Sequence, residues 1–517
     1  MARGIHKSLY IMLSLFIGLF IASSFFIRAK YSYFVYGDTP VLEKQQLGLF
    51  ILVIVLMLAI SAALYTISLK LNRFSRRIVI PAVLAVSFAL HVAIIFLFPR
   101  LPTDDSETVL NLALDMLYRS DYSSFETGGY LHMFPFNFST VLYLKTLLYL
   151  FPDNYLTIKI FNILFTLLTT LMIYLLYKEL NEKSREHDYG VLVFAAAYLP
   201  ALFMSNFIYN DVIATAFLTG TLYFAVRFMK RKSLKDILFA AVLLAIGNYF
   251  RSVGVIVLIA VLISLLLGIR KLGVRKTLAA LFITGALFNV PGWTQNAALQ
   301  ATGVVDESVN TNSAPVYMWL NMGINLETFG FWDNRESYTI YQQDADYNKA
   351  ASTELFKEEI NNKLADASTG DLVKMYYKKL IWTWTEGTYQ MERYGIGNDS
   401  SSGDRGRMVG MVMDRYSYTN AATDLFKGDS GYRSGLLWMM YVLNLLMYGG
   451  IMVRLIGSIR AGRYGETPLV LVLLGFIGFY LLWEIKARYI FPVYPLLIVF
   501  SYMGFKDVYD YFAGRRR

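Results

Sequence analysis

The chain has no cysteine and only four histidines (His6, His91, His132 and His187) in 517 residues. No disulfide framework, cysteine-ligated zinc or thiol nucleophile is therefore available, and the scattered histidines argue against a His-rich metal cluster. Charge is also scarce. Charged residues make up 17% of the chain, against about 25% in a typical soluble protein. In their place stand apolar residues, 56% of the total, with a mean hydropathy of +0.44. They come in runs of roughly 17 to 23 residues, a length that crosses a bilayer and exceeds most soluble core helices. A soluble enzyme, a disordered chain and a small disulfide-stapled domain are all excluded.

About twelve spans follow from these runs: 9–27, 47–69, 78–98, 157–177, 189–209, 212–229, 237–251, 253–269, 277–290, 435–453, 467–484 and 489–505. Met1 to Ser8 and the run behind them resemble a secretory signal, but the run is long for one, so a retained first helix is expected. The short links are of two kinds. One set is basic, including Lys70, Arg73, Arg76 and Arg77, then Arg270, Lys271, Arg275 and Lys276, and finally Arg515 to Arg517. Together with the mixed link 178–188 this set has net charge +17, leaving −7 for the rest of the chain. The basic links alternate with the others, which is the positive-inside pattern. Both termini are thereby expected in the cytoplasm of a multi-pass plasma-membrane protein. The overall charge of +10 becomes a topology signal, and no nucleic-acid partner is implied.

Two stretches on the outer side do not cross. Residues 99–156 contain an amphipathic helix at 106–118 and an apolar helix at 137–151. The latter, about 15 residues, is short for a span and is expected flat on the membrane. Residues 291–434 carry 13 basic and 19 acidic residues and show helical patterning at 350–380. The expected organisation is two N-terminal helices (1–77), a transmembrane core (78–290) holding the outer loop 99–156, an outer domain (291–434), and C-terminal helices with a basic tail (435–517). The fold class is all-α and polytopic, with membrane-surface helices in the first large outer loop.

The candidate chemistry lies at the outer rim. Asp104 and Asp105 begin the amphipathic helix. Thr103 or Asp104 followed by Glu107 is a capping signature, while a carboxylate at the membrane surface also suits a general base. Asp211 sits at the outer end between two spans, where an acid is costly unless solvated or paired. Arg251 and Arg488, the latter with Glu484 and Lys486 nearby, are cations on the side where cations are disfavoured. A guanidinium donates two parallel hydrogen bonds to a phosphate. Snorkelling, or an ion pair of Arg488 with Glu484, would also account for them. Tyr130 and His132, between the two surface helices, are within reach of a substrate. Trp319, Phe331, Trp332, Trp382, Trp384 and Tyr389 suit sugar faces, but a membrane-interface belt explains them equally. Two N-x-S sequons, at Asn137 and Asn398, leave an endoplasmic reticulum setting open beside a bacterial one.

Taken together, Asp105 with Ala113 and Met116-Leu117, the stretch PFNFSTVLYLKTLLYLF at 135–151, Asp211, Arg251, and Glu484 followed by Arg488-Tyr489 resemble the GT-C glycosyltransferases. The likeness is to the protein O-mannosyltransferase and aminoarabinose-transferase branch and spans roughly residues 78 to 505. The chain departs from the pattern in its two extra leading spans, in Ser106 following the first acid pair, and in lacking the family's lysine near HMFPF. The resemblance implies transfer of a sugar from a polyprenyl-phosphate donor to an acceptor hydroxyl at the outer face. Asp105, with Asp104 and Asp211, would be catalytic. Arg251, Arg488 and Lys486 would hold the donor phosphate, and Tyr130, His132, Glu484 and Tyr489 the substrate. No cofactor is required, since phosphate is already a good leaving group, and a divalent metal would be an optional addition. Two other readings compete. A twelve-helix transporter or flippase would carry charges at mid-span, where His91 stands nearly alone. A lipid-linked polysaccharide polymerase would favour arginine-rich outer loops, whereas the large one here is net acidic.

Overall fold

The computed structural model describes residues 2–32, 39–152, 154–181, 187–397, 416 and 418–514. Asn398 and Arg515 to Arg517 lie outside the described residues. Helices dominate, as expected. Among the described residues, eight are long and apolar enough to cross a membrane, from Arg3–Ser24 to Ala487–Phe512, and Gly254–Leu267 and Thr467–Leu482 are shorter apolar helices. The protein is a multi-pass helical membrane protein. Leu47–Leu71 and Arg76–Leu97 leave most of their apolar side chains exposed, as lipid-facing helices do, whereas Asn210–Arg231 is buried almost throughout.

Three expectations change. Residues 189–209 do not form one span. They fold as Gly190–Ala196 and Leu199–Met204, with Pro200 in the first turn of the second helix. Proline lacks the amide that would continue the first helix, and both pieces are packed inside the bundle. The helix expected over 277–290 continues past that boundary, as Val274–Leu287 and then Val290–Ala301 with Pro291 at the joint. The link after the first helix holds an antiparallel hairpin, Ile27–Ser32 paired with Thr39–Lys44 so that Ile27 faces Lys44. The hairpin rests on the helix Thr369–Thr385, where the Trp382 indole donates to the Lys30 carbonyl at 2.9 Å.

Asp105–Tyr118 and Phe138–Leu150 are the two helices of the segment 99–156. They pack through Val109, Leu110, Ala113 and Leu114 on one side and Val141, Leu144 and Leu148 on the other, all buried in the main core. Helices Lys349–Asp366 and Thr369–Thr385 occupy the region read as helical at 350–380. Trp382, Trp384 and Tyr389 are core residues exposed by 1% or less and do not line the cavity described below, so they form neither a belt nor a sugar platform. Phe331, also buried, is part of the cavity wall.

Candidate active site

Asn210–Arg231 and Leu234–Phe250 are antiparallel neighbours joined through Lys232, which takes a left-handed turn conformation. Asp211 precedes that turn by about as many residues as Arg251 follows it, so the pairing brings the two to one level. There the Arg251 guanidinium closes on Asp211 Oδ1. Asp211 also lies in the first turn of its helix, where the helix dipole favours an acid.

Arg488 sits in the 3-10 turn Ala487–Val493, which Pro492 interrupts ahead of the last helix. Its Nη1 donates to Asp211 Oδ2 at 3.2 Å and its Nη2 to Asp105 Oδ2 at 3.2 Å. The arginine thus bridges two acids that are 106 positions apart in the chain. Its side chain is 3% exposed and Asp211 is fully enclosed, whereas the Asp105 side chain is 38% exposed. Phe207, Tyr209, Tyr394 and Tyr489 surround the Arg488 guanidinium, with ring centres 5.1 to 5.6 Å away. The remaining oxygen of Asp105 accepts from the Tyr130 hydroxyl at 3.2 Å. That hydroxyl accepts from Asn137 Nδ2 at 2.7 Å, and Tyr209 donates to Asn137 Oδ1 at 2.8 Å. Asn137 is therefore a buried relay residue, and its side-chain nitrogen is not presented for glycosylation.

A cavity of about 1030 Å³ opens over this cluster. Asp104, Asp105, Tyr130, Arg251, Glu484, Lys486, Arg488 and Tyr489 all line it. Asp211 does not; it lies behind the two arginines as their shared counter-ion. His132 does not line it either. Tyr130 and His132 are two positions apart on the short helix Tyr130–Met133, and residues at that spacing point to different sides. The His132 ring stands edge-on to Tyr347, with centroids 6.1 Å apart, and burial lowers its pKa.

Asp104 occupies the cap position of its helix, but its side chain makes no capping bond. Ser106 Oγ holds the turn instead, bonding the Thr103 amide at 3.0 Å and carbonyl at 2.6 Å. Glu484 is buried, with one oxygen accepting from the Tyr489 hydroxyl at 3.2 Å and the other lacking a protein partner. Burial raises its pKa, against the opposing pull of Lys486 and the Tyr489 hydrogen bond. Lys486 lies 5.3 Å from the centre of the Trp332 ring. The outer wall is aromatic, with Trp319 stacked on Trp483 at 5.5 Å. Sequence reasoning missed Arg393, which lines the cavity and binds Asp104 Oδ1 at 2.5 Å. Among the described residues, no group of three or more His, Asp or Glu side chains is arranged to hold a metal ion.

The family model described as Dolichyl-phosphate-mannose-protein mannosyltransferase matches residues 139–293. The GT-C resemblance is borne out. The matched GT-C segment contains Asp211 and Arg251 and stops short of Asp105 on one side and Arg488 on the other. No curated protein gives a significant match. Among solved structures, the chain is similar to an archaeal oligosaccharyltransferase, AglB from Archaeoglobus fulgidus, solved in complex with an inhibitory peptide and a dolichol-phosphate. That similarity has 12% identity and a TM-score of 0.41, over 85% of this chain and 51% of AglB. The chain thus spans about half the length of AglB.

Proposed function

We propose that this protein is a GT-C type glycosyltransferase that moves a sugar from a polyprenyl-phosphate carrier to an acceptor hydroxyl at the outer face of the plasma membrane. The reading rests above all on Asp105, whose carboxylate faces the cavity while Arg488 and Tyr130, on the same wall, fix its orientation. The acceptor oxygen attacks the anomeric carbon, the bond from that carbon to the phosphate oxygen breaks, and Asp105 takes the hydroxyl proton as general base. One base and one leaving group suffice without a covalent intermediate, so the sugar inverts.

The departing phosphate gains negative charge, and the site offers cations for it. Arg251 and Arg488 are already shared with Asp211 and Asp105. Lys486 forms no salt bridge within 4 Å among the described residues, and its charge acts on Glu484 at longer range, so it is the cation least committed before the donor phosphate arrives. Arg251 and Arg488 then reinforce it as charge develops. Glu484, Tyr489 and Tyr130 position the sugar, and Asp211 tunes the two arginines. Asp104 supports Asp105 rather than taking the proton itself. The alternation of basic links supports cytoplasmic termini, with the region between the two groups of spans on the acceptor side.

The test offers purified protein a panel of radiolabelled polyprenyl-phosphate sugars and records which label moves. Asp105→Ala abolishes transfer while expression and membrane insertion stay normal. Activity equal to wild type in that variant would overturn the mechanism.

A further inference from the structure

Asp104 has the wrong backbone for an aspartate. Its φ of 56° and ψ of −133° match the first central position of a type II′ turn, a conformation that favours glycine. An L-residue held there is strained and needs its surroundings to keep it in place. The side chain supplies no helix cap in return. What it does supply is a handle, because Oδ1 accepts from Arg393 Nη2 at 2.5 Å.

Arg393 is well placed to pull. It lies on the short helix Met391–Tyr394, in a segment fastened from three directions. Glu386 accepts from the Thr388 and Tyr389 amides at 3.0 Å each. Arg433 grips the neighbouring Glu392, with Nη2 on its carbonyl at 2.5 Å and Nε 3.7 Å from its carboxylate. Asn206, from the transmembrane core, donates to the Gly395 carbonyl at 3.0 Å. Arg393 Nη1 also reaches the Tyr31 hydroxyl of the N-terminal hairpin at 3.5 Å. The arginine side is braced, whereas the Asp104 side chain is 41% exposed and its turn is strained.

We propose that Arg393 is a positioning residue, anchoring Asp104 in its strained turn and thereby aiming the adjacent Asp105 into the cavity. This rests on the reading of Asp105 as the base, and the physical clamp itself is measurable without any activity. Releasing the anchor lets the turn relax, and Asp105, the next residue, moves with it. A displacement of about 1 Å costs on the order of 100-fold in rate.

The experiment uses full-length protein in detergent and compares wild type, Arg393→Ala, Asp104→Gly and the double variant, with Asp105→Asn as the inactive reference. Two quantities are read: steady-state transfer of the label identified above, and amide hydrogen exchange across 99–118. Arg393→Ala is expected to lower kcat about 100-fold, with KM within about threefold, and to speed exchange at the start of the Asp105–Tyr118 helix. Glycine adopts the turn without an anchor, so adding Asp104→Gly restores slow exchange and recovers at least about tenfold of the lost kcat. A double variant as slow as Arg393→Ala would overturn the proposal, because Arg393 would then act on the substrate directly. Unchanged exchange in Arg393→Ala would overturn it too. If wild type transfers no sugar, or Asp105→Asn stays active, the functional reading fails while the exchange data still decide the clamp.

Discussion

Arg488→Met removes the cation that bridges Asp105 and Asp211 and keeps an unbranched stem in place of the arginine's aliphatic part. Asp211 is fully enclosed and Arg488 is 3% exposed, so the loss falls on a desolvated network. Removing one partner of such a network costs about 3 to 5 kcal/mol. Asp211 retains Arg251 and Asp105 retains cavity solvent, which places the expected loss near the lower end, about 3 kcal/mol. Asp211→Asn alone leaves two arginines facing one acid and should cost a similar amount. The double variant keeps one acid, Asp105, and one arginine, Arg251, and so restores the net charge balance of the cluster. Its loss should fall short of the sum by at least about 1 kcal/mol. Chemical unfolding in detergent micelles measures all four forms. Losses that add to within about 0.5 kcal/mol, or an Arg488→Met variant as stable as wild type, would refute the idea that charge balance holds this site together.

Trp332→Ala takes away the ring beneath Lys486 at 5.3 Å. With a cation–π contribution of roughly 0.5 to 1 kcal/mol, the donor KM should rise about two- to fivefold with little change in kcat, and an unchanged KM would remove Lys486 from donor binding. Glu386, in the outer region, is pushed up to about 7 by burial, with hydrogen bonds from Thr388 and Tyr389 opposing and Glu392 adding. Its folded pKa lies above the ordinary 4.5, so its stabilising share is complete below that value and drains away as pH rises through about 7. Unfolding at pH 5 and pH 8 should show wild type losing more stability between the two than Glu386→Gln, and equal losses would contradict this. A glycosylation or phosphatase reporter inserted at the exposed Asp306–Glu307 should read as outside, and a cytoplasmic signal would invert the topology.

The rim charges were legible in the sequence because a charge at a bilayer edge is costly and so calls for a partner or a task. Asp105, Arg251 and Arg488 do line one cavity, with Asp211 behind them. Arg393 was not legible, because it lies 289 positions from Asp104 within a segment whose aromatic content drew the attention. Asn137 looked like a sequon when it is a hydrogen-bond relay, since a tripeptide carries no information on burial. Residues 189–209 have span-like composition because lipid and bundle interior reward the same apolar side chains. Only the consequence of Pro200 separates one long helix from two short ones. His132 lies beside Tyr347 and Tyr130 beside the cavity, a difference of direction on a four-residue helix that sequence position alone does not carry.

The Asp211–Arg251 contact also bears on biogenesis. Entering the lipid singly, each of the two flanking helices would carry an unmatched ion at its end, and translocation machinery penalises such ions by about 2.5 to 3.5 kcal/mol when they lie deep. Entering as a closed pair, they present the bilayer with a neutral doublet. The 210–251 stretch is therefore suited to leave the translocon as one hairpin, with Asp211 and Arg251 joined before the C-terminal part that carries Arg488 has been synthesised.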